Sequence, residues 1–335
     1  MKLKTVFVII LCSFLISCES KTNKRSFFAM NTHITIKSTC GKNKSANREI
    51  EQKFYNLEKL ISTTAPVSEV YLINNNSGTV KLSDETFFLA KYALDGAVKT
   101  NGKFNPALYP VIRAWGFTTE DYKIPSDIEI SQLLELTDFS KIKLDAETKT
   151  ITMPEKMMLD FGAIGKGFAG DEAIRILKEN NVPSAILDLG GNIQVLGKNL
   201  ETGEAWKVGI RNPYEDGVAV SLKVTDCAVI TSGGYERFFV GKDGKKYIHI
   251  FDGETGRPVE NNVVSSTIVC EKGIYGDFLS TTLFVMGKEK AIEFWKENRD
   301  FDFIMMFDDF TLCYTAGLKD KIDFLTDFNK IEIIQ

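Results

Sequence analysis

Histidine is nearly absent from this chain: of 335 residues only His33 and His249 are histidines, and no cysteine pair stands at CxxC spacing or at zinc spacing to a histidine. That excludes a zinc ribbon and leaves structural, buried thiols as the default for the cysteines. Positive charge is also not in excess, with 41 Lys and Arg against 45 Asp and Glu and a net charge of −4, so nothing suits a nucleic-acid surface. No low-complexity linker divides the sequence and no internal repeat is visible, so its length allows one large domain or two.

The one long apolar run, Val6 to Ile16, follows Lys2 and Lys4 and is too short to span a bilayer comfortably. It reads as a signal peptide over residues 1–17. Leu15-Ile16-Ser17-Cys18 has the pattern of a bacterial lipobox, in which Cys18 is lipidated and becomes the new N-terminus. The other reading is an ordinary secretory signal with an incidental cysteine. Acyl chains on Cys18 would anchor the protein stably, as a lipoprotein of the bacterial cell envelope facing the periplasm or exterior. Residues 18–27 are then the lipidated cysteine and a polar tether, and 28–335 the folded domain. Cleavage leaves 39 basic against 45 acidic side chains, a formal charge of −6. It also leaves Cys40, Cys227, Cys270 and Cys313, widely spaced.

Short β-branched runs of period two read as strands at 32–36, 149–153, 184–189, 206–210, 218–224, 247–251 and 263–269. Helical periodicity appears at 46–61, 83–100, 128–136, 170–180, 277–286 and 288–298. The two kinds of element are mixed without strict βαβ alternation, which indicates an α+β fold with largely antiparallel sheets and packed helices.

The richest stretch is Asp160-Phe161-Gly162-Ala163-Ile164-Gly165-Lys166-Gly167-Phe168-Ala169-Gly170-Asp171. It sets a carboxylate and a lone lysine six residues apart on a backbone kept bare by four glycines, ahead of a helix. Free N–H groups, a positive dipole end and Lys166 would suit a phosphate-bearing ligand. The run is not a P-loop, because Gly167 follows the lysine, and it would serve equally as a tight strand-to-helix turn. In Asp277-Phe278-Leu279-Ser280-Thr281, positions i, i+3 and i+4 of a helix bring the oxygens of Asp277, Ser280 and Thr281 to one face. Three hard oxygens with a single negative charge suit Mg²⁺ that takes its remaining ligands from phosphate and water. Asp277 as a helix cap is the competing reading. Asp188-Leu189-Gly190-Gly191-Asn192 ends a strand in a double-glycine turn. Thr231-Ser232-Gly233-Gly234-Tyr235-Glu236-Arg237-Phe238 groups hydroxyls, glycines and a charge pair. His249 lies in a strand that runs into a Gly-bounded turn, where a lone histidine is often structural. The Gly102 to Ala107 loop and Trp115-Gly116-Phe117 supply aromatic surface for a planar ligand.

Taken in order, Asp160-x-x-Ala163-x-x-Lys166-Gly167, Asp188 to Asn192, Thr231 to Phe238, His249-Ile250-Phe251-Asp252-x-x-Thr255-Gly256-x-Pro258 and Asp277-x-x-Ser280-Thr281 resemble the FAD:protein FMN transferase family, also called the ApbE family. The resemblance covers about Phe28 to the C-terminus and implies a T-fold-like architecture. It further implies that Asp160 and Lys166 contact FAD, and that the Ala163 carbonyl joins the side chains of Asp277 and Thr281 in holding Mg²⁺ against the diphosphate. Met30, Asn105, Pro106, Ala107 and Phe251 fall where members of the family line the flavin or adenine pockets. The implied reaction passes FMN from FAD to a Ser or Thr hydroxyl of an acceptor protein, a membrane or exported redox protein, and releases AMP.

Phosphoryl transfer needs phosphates held in line with their charge neutralised, and a base for the attacking hydroxyl. His249 and Asp160 are the candidate bases, His249 first because its ordinary pKa lies nearer neutrality. Two positions depart from the family pattern. Asn31 stands where many members have glycine after Met30, and Thr64 stands where an aromatic residue often stacks on the flavin, so Thr64 would shield the reacting phosphate less from water. The alternatives are a Mg²⁺-dependent FAD pyrophosphatase releasing FMN and AMP, and a lipid-anchored FAD-binding protein without catalysis.

Overall fold

A computed structural model describes residues 22–39, 44–76 and 78–335. The lipidation motif with Cys18, and also Cys40, lie outside these residues. A nine-stranded sheet forms the backbone of the fold, in the order Thr22–Ala29, Thr32–Thr39, Ala185–Asp188, Asn192–Leu196, Cys227–Gly233, Val263–Cys270, Asp302–Phe307, Thr311–Thr315 and Lys330–Ile334. Neighbouring strands are antiparallel except the last pair, Thr311–Thr315 with Lys330–Ile334. The α+β class and the antiparallel character expected from the sequence are both observed.

The central strands are covered on both faces. Along them alternate residues enter different cores: Ala228, Ile230, Ile268, Phe303 and Met305 pack under helices, whereas Val229, Val269, Ile304 and Met306 pack against a three-stranded sheet of Trp206–Arg211, Val218–Val224 and Ile322–Phe324. The helices on the first face are Lys44–Ile61, Gly162–Glu179 and Gly273–Glu297. Gly287, with φ 73°, breaks the last of these into the two helical stretches that the sequence suggests. A further cluster, with Trp115, Phe117, Tyr247 and Phe251, forms an aromatic wall at one side.

Four expectations are corrected. Residues 22–27, expected to belong to a tether, are part of a strand, because Thr22–Ala29 is paired along its whole length with Thr32–Thr39 and buries Phe27 and Ala29 in one cluster with Phe54. The helix expected from residue 170 begins at Gly162, so the glycine run is helix rather than loop. Its glycines permit close crossing: a Cβ on Gly167 would lie 2.2 Å from the Gly273 carbonyl oxygen, and one on Gly170 would lie 2.2 Å from Gln194 Nε2. The favourable packing outweighs the entropic cost of glycine inside a helix. The expected strand 247–251 is two short pieces, Lys246–Ile248 and Phe251–Asp252, with His249 at the break between them. Asp277 is not the cap of its helix, which starts one turn earlier at Gly273, where Asp171 accepts the N–H groups of Gly273 (2.7 Å) and Ile274 (2.9 Å).

Candidate active site

The glycine-bearing helix and the helix Gly273–Glu297 cross beside the start of strand Asn192–Leu196, and this crossing floors a cleft of about 1440 Å³. That exceeds the roughly 300–1000 Å³ of ordinary small-molecule pockets. Met30, Thr64, Asn105, Pro106, Asp160, Ala163, Lys166, His249, Phe251, Asp277 and Thr281 all line this one cleft. Residues distant in sequence are therefore brought together in one cleft.

Asp277 lies at its floor, only 5% exposed. Its Oδ2 accepts the Gly167 N–H at 2.8 Å and its Oδ1 accepts the Asn192 amide at 3.0 Å. Burial pushes its carboxyl pKa up, while the Lys166 ammonium and these donors pull it back. Thr281, one turn on, keeps its hydroxyl 3.2 Å from Ser232 Oγ. Ala163, one turn before Gly167 in the same helix, also lines the cleft. Among the described residues, no three His, Cys, Asp or Glu side chains gather as a metal cluster. The oxygen-bearing side chains on this part of the cleft are instead the Asp277 carboxylate and the Thr281 hydroxyl, and they fit a hard cation that completes its shell with phosphate and water.

Two expected residues stand elsewhere. Ser280 is fully buried behind the floor and is not a lining residue, since its hydroxyl donates to the Asp277 carbonyl at 3.0 Å and pairs with Ser232 Oγ at 2.8 Å. A helix turns 100° per residue, so i+4 stays nearer the face of Asp277 than i+3 does. Ala107 is likewise fully buried. Its N–H donates to Asn105 Oδ1 at 2.9 Å, and the Asn105 amide donates to the Thr137 carbonyl at 3.0 Å, so Ala107 helps to hold Asn105 at the wall.

Lys166 forms no ion pair within 4 Å among the described residues, and its charge bears on both Asp277 and His249. It is a free cation facing the cleft. Asp160 accepts the Gly162 N–H at 2.9 Å and donates its own N–H to the Pro106 carbonyl at 2.9 Å. Burial raises its pKa and Arg237 opposes the rise. His249 Nδ1 stands 3.1 Å from the Arg237 carbonyl oxygen. Because a carbonyl only accepts, Nδ1 carries the proton and Nε2 keeps its lone pair. Desolvation, then the Arg237 and Lys166 charges, push the His249 pKa down to about 4, so the ring is neutral at neutral pH. Phe251 stands in the aromatic wall, its ring 5.6 Å from Phe117 and 5.9 Å from Trp115. Thr64 sits exposed at the rim, its hydroxyl 3.3 Å from Ser62 Oγ. Met30 and Asn31 take φ of 50° and 58° in the turn between the first two strands, pinned by Met30 N–H to Glu58 Oε1 at 3.0 Å.

The sequence reading missed the partners of these groups: Asn192, Ser232 and Glu58. Asn192 and Ser232 belong to motifs it singled out, but nothing local marks them as ligands of a helix more than 45 residues away. Glu58 carries no sequence signal at all.

Residues 30–305 match the family model of the ApbE family. The chain is 34% identical over 284 residues to an FAD:protein FMN transferase of Treponema pallidum, which covers 79% of this chain and 78% of that protein. It is 32% identical over 254 residues to one of Klebsiella pneumoniae, 74% of this chain and 78% of that protein. Its structure is similar to the crystal structure of the ApbE protein of Thermotoga maritima, with a TM-score of 0.84 and 29% identity over 90% of this chain and 99% of that one. The flavin transferase ApbE of Vibrio cholerae gives a TM-score of 0.81 at 25% identity, with the same coverage.

Proposed function

The chain belongs to the ApbE family of FAD:protein FMN transferases, and from that premise we propose a Mg²⁺-assisted transfer of FMN from FAD to a Ser or Thr hydroxyl of an acceptor protein, with AMP as leaving group. The observation that carries this reading is the convergence of Asp277, Thr281, Ala163, Lys166 and His249 on one cleft. Asp277, Thr281 and the Ala163 carbonyl would hold the cation, which supplies charge neutralisation to the diphosphate when bound.

The remaining work falls to the protein's own residues. Lys166 places an unpaired ammonium for a phosphate oxygen, and the aromatic wall with Phe251 supports a planar ring. His249 Nε2 takes the proton of the acceptor hydroxyl. The hydroxyl oxygen then bonds to the phosphorus of the FMN moiety as the bond from that phosphorus to the oxygen of AMP breaks. Asp160, half-buried with the Arg237 charge acting on it, lines the cleft and is the second candidate base. The exposed Thr64 offers no ring over the reacting phosphate, which favours hydrolysis as a side reaction.

An export signal and a lipid on Cys18 would place this chemistry at the cell envelope, on membrane or exported redox proteins. The test is by mass. Purified protein incubated with FAD, Mg²⁺ and an acceptor peptide should add one FMN to the peptide and release an equal amount of AMP, and Asp277→Ala should abolish both. Full turnover by Asp277→Ala in the presence of magnesium would rule out the metal reading.

A further inference from the structure

Strand Asn192–Leu196 begins directly after Gly190 and Gly191, whose φ values of 71° and 92° form a two-residue hairpin turn closed by Leu189 N–H to the Asn192 carbonyl at 3.0 Å. A side chain on Gly190 would meet Thr32 Oγ1 at 2.0 Å, so the turn is packed as well as bonded. Asn192, at 1% exposure, is therefore delivered from a fixed point of backbone into the crossing of the two helices. Two residues on, and so on the same face of the strand, Gln194 donates to the Gly167 carbonyl at 3.1 Å. The Gly167 N–H donates to Asp277 Oδ2 and the Asn192 amide to Oδ1, so the two carboxylate oxygens are held from different elements, a helix backbone and a strand side chain.

We propose that Asn192 is a positioning residue of the transfer reaction: its amide fixes the rotation of the Asp277 carboxylate so that the remaining lone pairs of that group are presented to the cation, whereas Gln194 only locks the helix crossing. The proposal rests on the reading of Asp277 as a cation ligand. The terminal torsion of aspartate is broad, and backbone donors from the neighbouring helix alone leave the carboxylate room to rock. A side-chain donor from the strand removes that freedom. Groups that orient a ligand in this way typically change metal affinity by about 10- to 100-fold.

Mn²⁺ serves as the probe, with the free ion counted by electron paramagnetic resonance on the full chain without FAD. Asn192→Leu keeps the volume and loses the donor, and Gln194→Met does the same two residues on. Asn192→Leu should raise the Mn²⁺ Kd by about 10- to 100-fold, with FAD binding in the presence of chelator held within about twofold. Gln194→Met should lower the melting temperature while its Mn²⁺ Kd stays within about threefold of the parent. Asn192→Ala, read the same way, replaces Asn192→Leu if that variant does not fold. An unchanged Mn²⁺ Kd in the Asn192 variant, or an equal loss in Gln194→Met, overturns the proposal. Asp277→Asn separates the two levels of the argument. If Asp277→Asn abolishes Mn²⁺ binding and the Asn192 variant does not weaken it, only the positioning role fails. If Asp277→Asn leaves Mn²⁺ binding intact, the metal reading itself fails.

Discussion

His249 Nδ1 lies 3.1 Å from the main-chain oxygen of Arg237, and the His249 N–H reaches the same oxygen at 3.1 Å. One carbonyl thus fixes both the strand break and the tautomer of the ring. The chain has only two histidines, so ¹⁵N-histidine spectra with His249→Gln as the assignment control read this site directly. At pH 6 the ring should be neutral and protonated on Nδ1, titrating near pH 4. A charged ring at pH 6, or a proton on Nε2, would remove His249 as the base. The stability effect has a definite sign. With the folded value below the ordinary 6.5, His249 costs nothing above that pH, and stability falls as pH drops from about 6.5 toward about 4, where the unfolded chain takes up the proton first.

Lys166 lines the cleft with no ion pair within 4 Å among the described residues, so its removal should weaken substrate more than fold. A hydrogen bond to a charged group is worth about 1.5–3 kcal/mol, so Lys166→Gln should raise the KM for FAD by about tenfold to a hundredfold. The melting temperature should stay close to that of the parent. Steady-state AMP release and calorimetry measure both, and an unchanged KM would place the diphosphate elsewhere.

Gly167 carries the closest helix crossing. The Cβ of Gly167→Ala would lie 2.2 Å from the Gly273 carbonyl oxygen and 2.8 Å from Asp277 Cβ. Overpacking of this kind costs about 1–3 kcal/mol, to be read from urea denaturation. Mn²⁺ affinity should fall with it, because the shifted backbone is the one that donates to Asp277. Parental stability in this variant would contradict the crossing geometry.

Thr64 at the rim is the position where an added ring would cover the reacting phosphate. Thr64→Tyr should lower the free FMN formed per peptide adduct, measured by chromatography of the same reaction mixture. A higher share of free FMN would show that rim shielding does not limit hydrolysis.

The parts of the fold that repeat locally are legible in the sequence. Strands such as Trp206–Arg211, buried on one face and exposed on the other, announce themselves by alternation. Asp302–Phe307 and Thr311–Thr315 do not, because helices cover one face and a second sheet the other, and a nearly continuous apolar run has no period to detect. The helix start at Gly162 was hidden for a related reason. Glycine there serves the approach of Gly273 and Gln194, and these are tertiary neighbours that no window of sequence contains. At the site, the ligand-bearing side chains were legible because their chemistry is their own. Asn192, Ser232 and Glu58 were not, since each acts only through a partner brought by the fold.

The arrangement of cation and diphosphate is tested most directly by crystals of the protein grown with FAD and Mn²⁺, with data collected at the manganese absorption edge. One anomalous peak should stand within coordination distance of Asp277, Thr281 and the Ala163 carbonyl, bridged to the FAD diphosphate beside Lys166. A peak away from those three oxygens, or a diphosphate that does not reach it, would contradict the account.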